Sequence, residues 1–259
     1  MTQSDYSSRE TELKTPVRNR YFYGKLLDVF QFELETDYFN SKRRLLNRLV
    51  TGSGVVCGLG VDLTDDNKGV IVQPGLAIDR CGREIIVTKR VQSEPLPPFP
   101  PYPSSGAAKQ EYQSPHYEGR EYRPYCKEDY AHVVLCYHEC PGDPVPALIG
   151  DCESALCAPG SIREQYKIEI RHGYAPERKS DFPDVIKNRR IDSRALIDYV
   201  THACRAIPDD CCIPLADIGL RHSGDGWKPE VDIYARPIVY TNRLLFNLIV
   251  SLLKEQETE

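Results

Sequence analysis

Residues 74–87, PGLAIDRCGREIIV, predict a tight β-hairpin. Pro74-Gly75 is typical of the start of such a hairpin, and Arg80-Cys81-Gly82 is typical of its turn. Upstream of it, residues 54–61 (GVVCGLGV) and 70–72 (VIV) are also short runs rich in β-branched side chains. We therefore expect antiparallel strands around this hairpin.

Four segments later in the chain also have the composition of β-strands. They are residues 130–138, 165–171, 213–220 and 231–234. In the first of them Val133, Leu135 and Tyr137 alternate with other side chains, so they share one face of a strand. The second half of the chain is therefore predicted to be β-rich.

A long helix is predicted before these strands. Asp28 and Gln31 have the spacing of a capping box at its start, and Gly52 follows its end. Acidic side chains are concentrated in its first half and basic ones in its second half, as the helix dipole favours. Apolar side chains recur at helical spacing at Phe30, Leu34, Tyr38, Leu45 and Leu49, and Phe39, Leu46 and Val50 widen this stripe.

Two more helices are predicted near the C-terminus. One follows the Asp192-Ser193 cap and extends toward Ile207, and an apolar one follows Thr241-Asn242. The last helix is too short to cross a bilayer, so we expect it to pack on the core or on a partner. The predicted fold class is α+β: β-rich with sandwich-like antiparallel strands, a long N-terminal amphipathic helix and a C-terminal helix.

The chain divides into four predicted segments. Residues 1–52 form an N-terminal arm and interface helix, 53–93 a β-hairpin region, 94–125 a Pro/Tyr-rich linker or strap, and 126–259 a β-rich domain with the C-terminal helix. Residues 94–124 hold eight of the 20 prolines, which favours an extended segment. This segment is interpreted either as a surface strap or as an arm that wraps a neighbouring subunit through Tyr102, Tyr112 and Tyr117.

Composition argues against some classes of function. The 259 residues carry a formal net charge of −5, which does not favour a dedicated nucleic-acid binder. The first residues, MTQSDYSSRETELK, lack the basic start and apolar run of a secretory signal, so a cytoplasmic location is expected. In that compartment the ten cysteines are expected to stay reduced.

A group of cysteines and histidines is a candidate metal site. If residues 130–140 form a strand, alternate side chains share one face, which would hold His132, Cys136, His138 and Cys140. Cys152 and Cys157 follow in a loop. Four such ligands suit tetrahedral zinc, although the spacing is not that of a zinc ribbon. Buried or surface thiols, and a disulfide formed after release, are the alternatives.

The sequence contains no familiar catalytic motif. GxxxxGK[ST], GxSxG, HExxH and GxGxxG do not occur. A second cysteine group, Cys204, Cys211 and Cys212, has no base placed to activate a thiol. The carboxylates Asp62, Asp65, Asp66 and Asp79 are interpreted as turn-stabilising residues. The chain is therefore predicted not to be an enzyme, and no cofactor is expected beyond an optional structural zinc.

Residues 18–61 carry a resemblance to a known family. They read RNRYFYGKLLDVFQFELETDYFNSKRRLLNRLVTGSGVVCGLGV, which resembles a block in mostly uncharacterised structural proteins of contractile injection system gene clusters. The shared pattern is Tyr-Phe-x-Gly-Lys-Leu-Leu, a helix with acidic and Tyr-Phe positions, Leu-Asn-Arg-Leu, and Gly-x-Gly-Val-Val-Cys-Gly-Leu. Weaker similarity continues through residues 73–79 and 82–87. The resemblance implies a baseplate-associated component of a phage tail-like particle.

The resulting functional hypothesis is a structural subunit at the baseplate or around the spike. Its expected partners are itself and other contractile tail proteins of the baseplate, spike or sheath, with membrane tethering only through the assembled particle. Two alternatives remain: a fibre-like or adhesin-like attachment module, and a zinc-dependent enzyme. The candidate interface residues on the helix are Tyr38, Phe39, Arg43, Arg44, Asn47 and Arg48.

Overall fold

The computed structural model describes residues 13, 15–93, 95–96, 131–146, 157–176, 182–183, 185–187, 190–201, 204, 206–223 and 226–256. Its α-helices are α1 (Val29–Leu46), α2 (Ser193–Thr201) and α3 (Asn242–Gln256). A π-helical turn, Asn47–Thr51, continues α1, and a 3-10 turn covers Ile233–Ala235.

The strands of the described residues pair in antiparallel sheets. They are β1 (Gly54–Gly58), β2 (Val61–Leu63), β3 (Val70–Val72), β4 (Gly75–Ile78), β5 (Glu84–Val87), β6 (Val91–Gln92), β7 (Ala131–Pro146), β8 (Cys157–His172), β9 (Ile186–Lys187), β10 (Arg190–Ile191), β11 (Ile213–Ser223) and β12 (Gly226–Asp232). The sheet orders are β1-β4-β5, β2-β3-β6, β12-β11-β7-β8 and β10-β9. The predicted α+β, β-rich fold with a helix near each end is confirmed.

One hydrophobic core joins the three larger sheets. Its fully buried side chains include Leu59, Val72, Ile85, Leu135, Ile213 and Ile218. Residues from the 53–93 segment and from the 126–259 segment therefore pack against each other. Arg236 adds a polar link between them, because it donates from Nη1 to the Leu59 carbonyl at 3.0 Å and from Nε to the Leu215 carbonyl at 2.9 Å.

The predicted 74–87 hairpin forms, and a buried aspartate holds its turn. Asp79 Oδ1 accepts hydrogen bonds from the backbone N–H groups of Cys81 (2.9 Å) and Arg83 (2.8 Å), and Oδ2 accepts one from Arg83 Nε at 2.7 Å. Its side chain is fully buried, so these donors satisfy a carboxylate that would otherwise be costly to bury. The turn-stabilising role predicted for Asp79 is confirmed.

The predicted start of α1 is also confirmed. Asp28 Oδ1 accepts from the Gln31 backbone N–H at 3.2 Å, and Gln31 Oε1 accepts from the Asp28 backbone N–H at 3.0 Å, which completes a capping box. Gly52 ends the π-helical turn, and its N–H donates to the Asn47 carbonyl at 2.8 Å.

Several predicted boundaries are wrong. Strands β7 and β8 are each 16 residues long and extend far beyond residues 130–138 and 165–171. The pairing strand near residue 231 is Gly226–Asp232, and the chain turns at Ile233–Ala235. Helix α2 ends at Thr201, and Asp62 lies within β2 instead of a turn.

Candidate functional site

Helix α1 is attached to the body of the protein near its C-terminal end. Asn47 Nδ2 donates to the Gly82 carbonyl at 2.9 Å and to Glu84 Oε1 at 2.8 Å. Arg43 Nε lies 3.3 Å from Glu84 Oε2, and Arg44 Nη2 lies 3.7 Å from Glu139 Oε1. These contacts fix the end of the helix to the β4-β5 hairpin and to β7.

These attachments change the interpretation of three predicted interface residues. Arg43, Arg44 and Asn47 were expected to face another molecule, but their printed polar partners are residues of the same chain. The reason is that the helix ends directly over the hairpin turn, where the Gly82 carbonyl and Glu84 carboxylate need donors. Reversing the two arginine charges would therefore disturb the attachment as well as any interface.

The rest of α1 presents a surface that the described chain does not cover. None of the 18 residues of α1 is buried. Tyr38 is half-buried, stacks edge-on against Phe39 with ring centroids 5.4 Å apart, and lies under Lys42 Nζ. Phe39 remains 60% exposed. These two predicted interface residues are thus placed on an accessible helix.

Sequence reasoning found only part of an exposed stripe on this helix, because it placed Phe39, Leu46 and Val50 beside the apolar face but did not include Val29 and Phe32. The stripe runs along residues spaced alternately three and four apart: Val29, Phe32, Thr36, Phe39, Arg43, Leu46 and Val50. All seven are exposed. This is the spacing of the a and d positions of a heptad, and reading the period as 3.5 instead of 3.6 residues would have found it. We call these seven residues the α1 seam.

The segment before α1 enlarges the apolar surface. The Tyr21 hydroxyl donates to Glu35 Oε2, and this hydrogen bond to a carboxylate raises the pKa of Tyr21. Lys25 Nζ donates to Asn19 Oδ1 and to the Arg20 carbonyl. The chain is thereby folded back along the helix, and it exposes the apolar side chains Phe22, Tyr23, Leu26 and Leu27.

Helix α3 is a second apolar element that the described part of the chain leaves exposed. Thr241 Oγ1 caps it by accepting from the Leu244 backbone N–H at 3.2 Å. Its exposed apolar side chains are Leu245, Phe246, Leu248, Ile249, Leu252 and Leu253. An exposed apolar face of this kind marks a candidate interaction surface.

The β7–β8 hairpin is a two-stranded ribbon whose outer part leaves the core. Its register continues from Ala131 opposite His172 to Pro146 opposite Cys157, whereas burial ends at Cys136 on β7. Ile162 is 68% exposed on the outer part. There Asp143 pairs with Arg163 at 2.5 Å, and hydrogen bonds from Ser161 and Arg163 lower the pKa of Asp143.

The 74–87 hairpin contacts both the base of this ribbon and the end of α1. The Arg83 guanidinium lies 4.5 Å from the centroid of the Tyr137 ring, a cation–π geometry. The pKa of Tyr137 is raised well above its usual range. Burial is the main cause, and the hydrogen bond to Glu139 is the second. Helix α1 and the ribbon therefore have a common support in residues 82–84.

The cysteines do not behave as expected from a reducing compartment. Cys81 is bonded to Cys211, and Cys136 to Cys212, in two disulfides. The expectation of reduced thiols is thus wrong at these four positions, because the fold brings residues 81, 136 and 211–212 together although they are distant in sequence. Free thiols remain at Cys57, Cys140, Cys157 and Cys204.

The structure does not bring the candidate zinc ligands together. Cys136 is in a disulfide, and His132 Nδ1 forms a hydrogen bond with the Gly173 carbonyl oxygen at 2.7 Å. His132 and Cys140 lie eight residues apart on an extended strand, about 26 Å, whereas zinc holds its ligands at about 2.0–2.3 Å. Among the described residues, no three His, Cys, Asp or Glu side chains converge on a possible metal position.

Four other predicted contact or ligand residues lie outside the described residues. They are Tyr102, Tyr112 and Tyr117 of the strap, and Cys152. Of the remaining candidates, Cys157 is exposed at the start of β8 and His138 is exposed on β7. Arg48 lies in the π-helical turn that follows α1.

No protein-family model matches the chain, and no curated protein matches it. In the part of the chain that the structure describes, no helix has the length and apolar character needed to cross a membrane. The candidate site is therefore defined by its own geometry: two apolar helices that the described residues leave exposed, and the β7–β8 ribbon.

Proposed function

We propose that this protein is a structural subunit of a contractile injection system, a phage tail-like particle, at the baseplate or around the spike. It acts through assembly with itself and with other contractile tail proteins, and it catalyses no reaction. One observation carries the proposal. Residues 18–61, which resemble injection-system proteins, contain α1, and the described part of the chain buries no residue of α1. A large uncovered apolar face is typical of a protein that binds another protein.

The location follows from the proposed assembly. The chain is made in the cytoplasm and is retained in the assembled particle, which stays in the cell, attaches to a membrane or is released. The Cys81–Cys211 and Cys136–Cys212 disulfides would then form when the particle meets oxidising surroundings. In this proposal the assembled particle makes any membrane contact.

Co-sedimentation tests the proposal directly. Purified protein is mixed with injection-system particles and centrifuged, and the pellet is compared with that from a lysate whose sheath gene has been deleted. We expect the protein in the pellet only when particles are present. Recovery in the supernatant of both samples would overturn the assignment to the particle.

A second function, an attachment module of the particle, is favoured by the ribbon. Its outer part projects beyond the core with exposed Val145 and Ile162, as a binding arm would. If it attaches the particle to a surface, removing residues 95–125 or the outer ribbon will spare assembly and abolish attachment. If the structural role is correct, the altered proteins will fail to assemble.

A further inference from the structure

The α1 seam has the geometry of one half of a two-helix pair. Its exposed apolar members Val29, Phe32, Phe39, Leu46 and Val50 are between 57% and 77% exposed. The three-four alternation keeps the four members in α1 on one stripe, whereas Val50 lies in the π-helical turn, where the winding is wider and this period does not hold. Two polar side chains, Thr36 and Arg43, interrupt the stripe at heptad position a. In coiled coils, polar residues at this position fix the register and the number of helices.

Charges beside the seam specify its partner. Glu35 and Lys42 occupy the two g positions that flank the centre of the seam. In an antiparallel pair of identical helices, g positions face g positions, so Glu35 of each copy meets Lys42 of the other. In a parallel pair, g faces e, and the same residues would meet the uncharged Asn40 and Asn47. Only the antiparallel pair makes two interhelical ion pairs at these positions.

We propose that α1 binds α1 of a second copy of this chain, antiparallel and about a two-fold axis near residues 37–38. This inference rests on the proposed assembly function, since it names one of the partners. In this register Thr36 packs against Phe39, and Val29 packs against Leu46. Arg43 lies over Phe32 of the second copy, where a cation–π contact compensates for its partial desolvation.

The attachment of α1 to the body is compatible with this pairing. Arg43 contacts Glu84 through Nε, while its side chain stays 49% exposed. Leu46 and Val50, next to the attachment, are 57% and 77% exposed. Among the residues that the structure describes, none covers the seam, including at the end at which Asn47 binds the hairpin.

A pair of matched variants tests the seam. Phe39 and Phe30 are 60% and 63% exposed, and their separation of nine residues puts them on opposite sides of α1. The molar mass of the full chain is measured by light scattering as a function of concentration, after alkylation of the free thiols. We expect a dimer for the wild type and for Phe30→Glu. Phe39→Glu should weaken dimerisation roughly 100-fold or more, because each dimer carries the change twice.

Charge reversal tests the orientation. Glu35→Lys and Lys42→Glu each place like charges opposite one another in the antiparallel pair, and each should weaken the dimer by roughly 10-fold. The double variant Glu35→Lys/Lys42→Glu restores both ion pairs and should return the dissociation constant to near the wild-type value. A double variant weaker than either single variant would overturn the antiparallel arrangement.

Other outcomes separate this inference from the proposed function. A wild-type protein that is monomeric at all concentrations but sediments with particles would overturn self-pairing and leave the particle assignment intact. If Phe39→Glu then also fails to sediment, the seam binds a different tail protein. A dimer that ignores particles would instead support self-pairing and overturn the particle assignment. Equal loss of the dimer in Phe30→Glu would remove the seam as the contact face.

Discussion

At the scale of single residues, the cost of burying a charge is clearest at Asp217 on β11. Burial raises the pKa of Asp217, and the Ala175 backbone N–H, which donates to Oδ1 at 2.8 Å, compensates only in part. A carboxyl whose pKa is raised on folding stabilises the fold when protonated. That stabilisation is complete below the unfolded pKa near 3.8 and is lost as the pH rises through the higher folded pKa.

Asp217→Asn should therefore stabilise the protein at neutral pH. The asparagine keeps an oxygen for the Ala175 N–H and removes the buried charge, so we expect the free energy of unfolding at pH 7 to rise by about 1 kcal/mol. Urea unfolding of both proteins from pH 3 to pH 7 measures this, and the advantage of the variant should grow with pH. An asparagine variant that is less stable at pH 7 would show that the carboxylate is fully compensated.

Gly82 allows the end of α1 to approach the hairpin. It has φ +84°, and a Cβ there would overlap the Arg44 carbonyl oxygen. Gly24 is a matched control, because it has φ +82° and open space where a Cβ would be. We expect Gly24→Ala to cost about 1 kcal/mol for the backbone conformation alone, and Gly82→Ala to cost about 2–4 kcal/mol because the helix must also move. Thermal unfolding compares the two, and equal losses would argue against close contact at Arg44.

At the scale of elements, the ribbon has an inner half that belongs to the core and an outer half that does not. Residues 131–136 of β7 are buried, whereas the outer pairs are mainly exposed. A two-stranded ribbon is at best marginally stable in water by itself. Its outer half therefore contributes little to the stability of the monomer, which is consistent with a role in binding.

Shortening the ribbon tests this division. Cys140 lies opposite Arg163, so replacing residues 141–162 by Asn-Gly joins a paired position with a two-residue hairpin turn. We expect the midpoint of thermal unfolding to stay within a few degrees of the wild type, while binding to particles is lost. A large fall in the midpoint would show instead that the outer half supports the core.

At the scale of the whole molecule, local signals in the sequence predicted more than distant ones. The capping box at Asp28 and the hairpin turn at Asp79 depend on residues within a few positions, and both are confirmed. The length of β7 was missed because Pro141, Pro144 and Pro146 resemble a loop, although their partners on β8 accommodate them. The disulfide pairings were missed because the bonding of cysteines 130 and 76 positions apart depends on the finished fold.

The adjacent cysteines 211 and 212 make the stability of the whole fold depend on oxidation. Cys211 forms a disulfide with Cys81 of the 74–87 hairpin, and Cys212 forms one with Cys136 of β7. The start of β11 is therefore cross-linked to both of these elements. Cross-links that close loops of this length each stabilise a fold by about 2–5 kcal/mol, mainly by restricting the unfolded chain. We expect Cys81→Ser/Cys211→Ser and Cys136→Ser/Cys212→Ser each to lower the free energy of unfolding by about that amount.

Urea unfolding with and without dithiothreitol measures the effect, and Cys57→Ser, which removes an exposed free thiol, is the matched control. The wild type should lose stability in dithiothreitol, whereas the two double variants should each lose less because one cross-link is already missing. A wild type that is indifferent to dithiothreitol would mean that these cysteines are reduced in the folded protein. If the expected loss is found, the folded chain gains stability on moving from a reducing to an oxidising compartment.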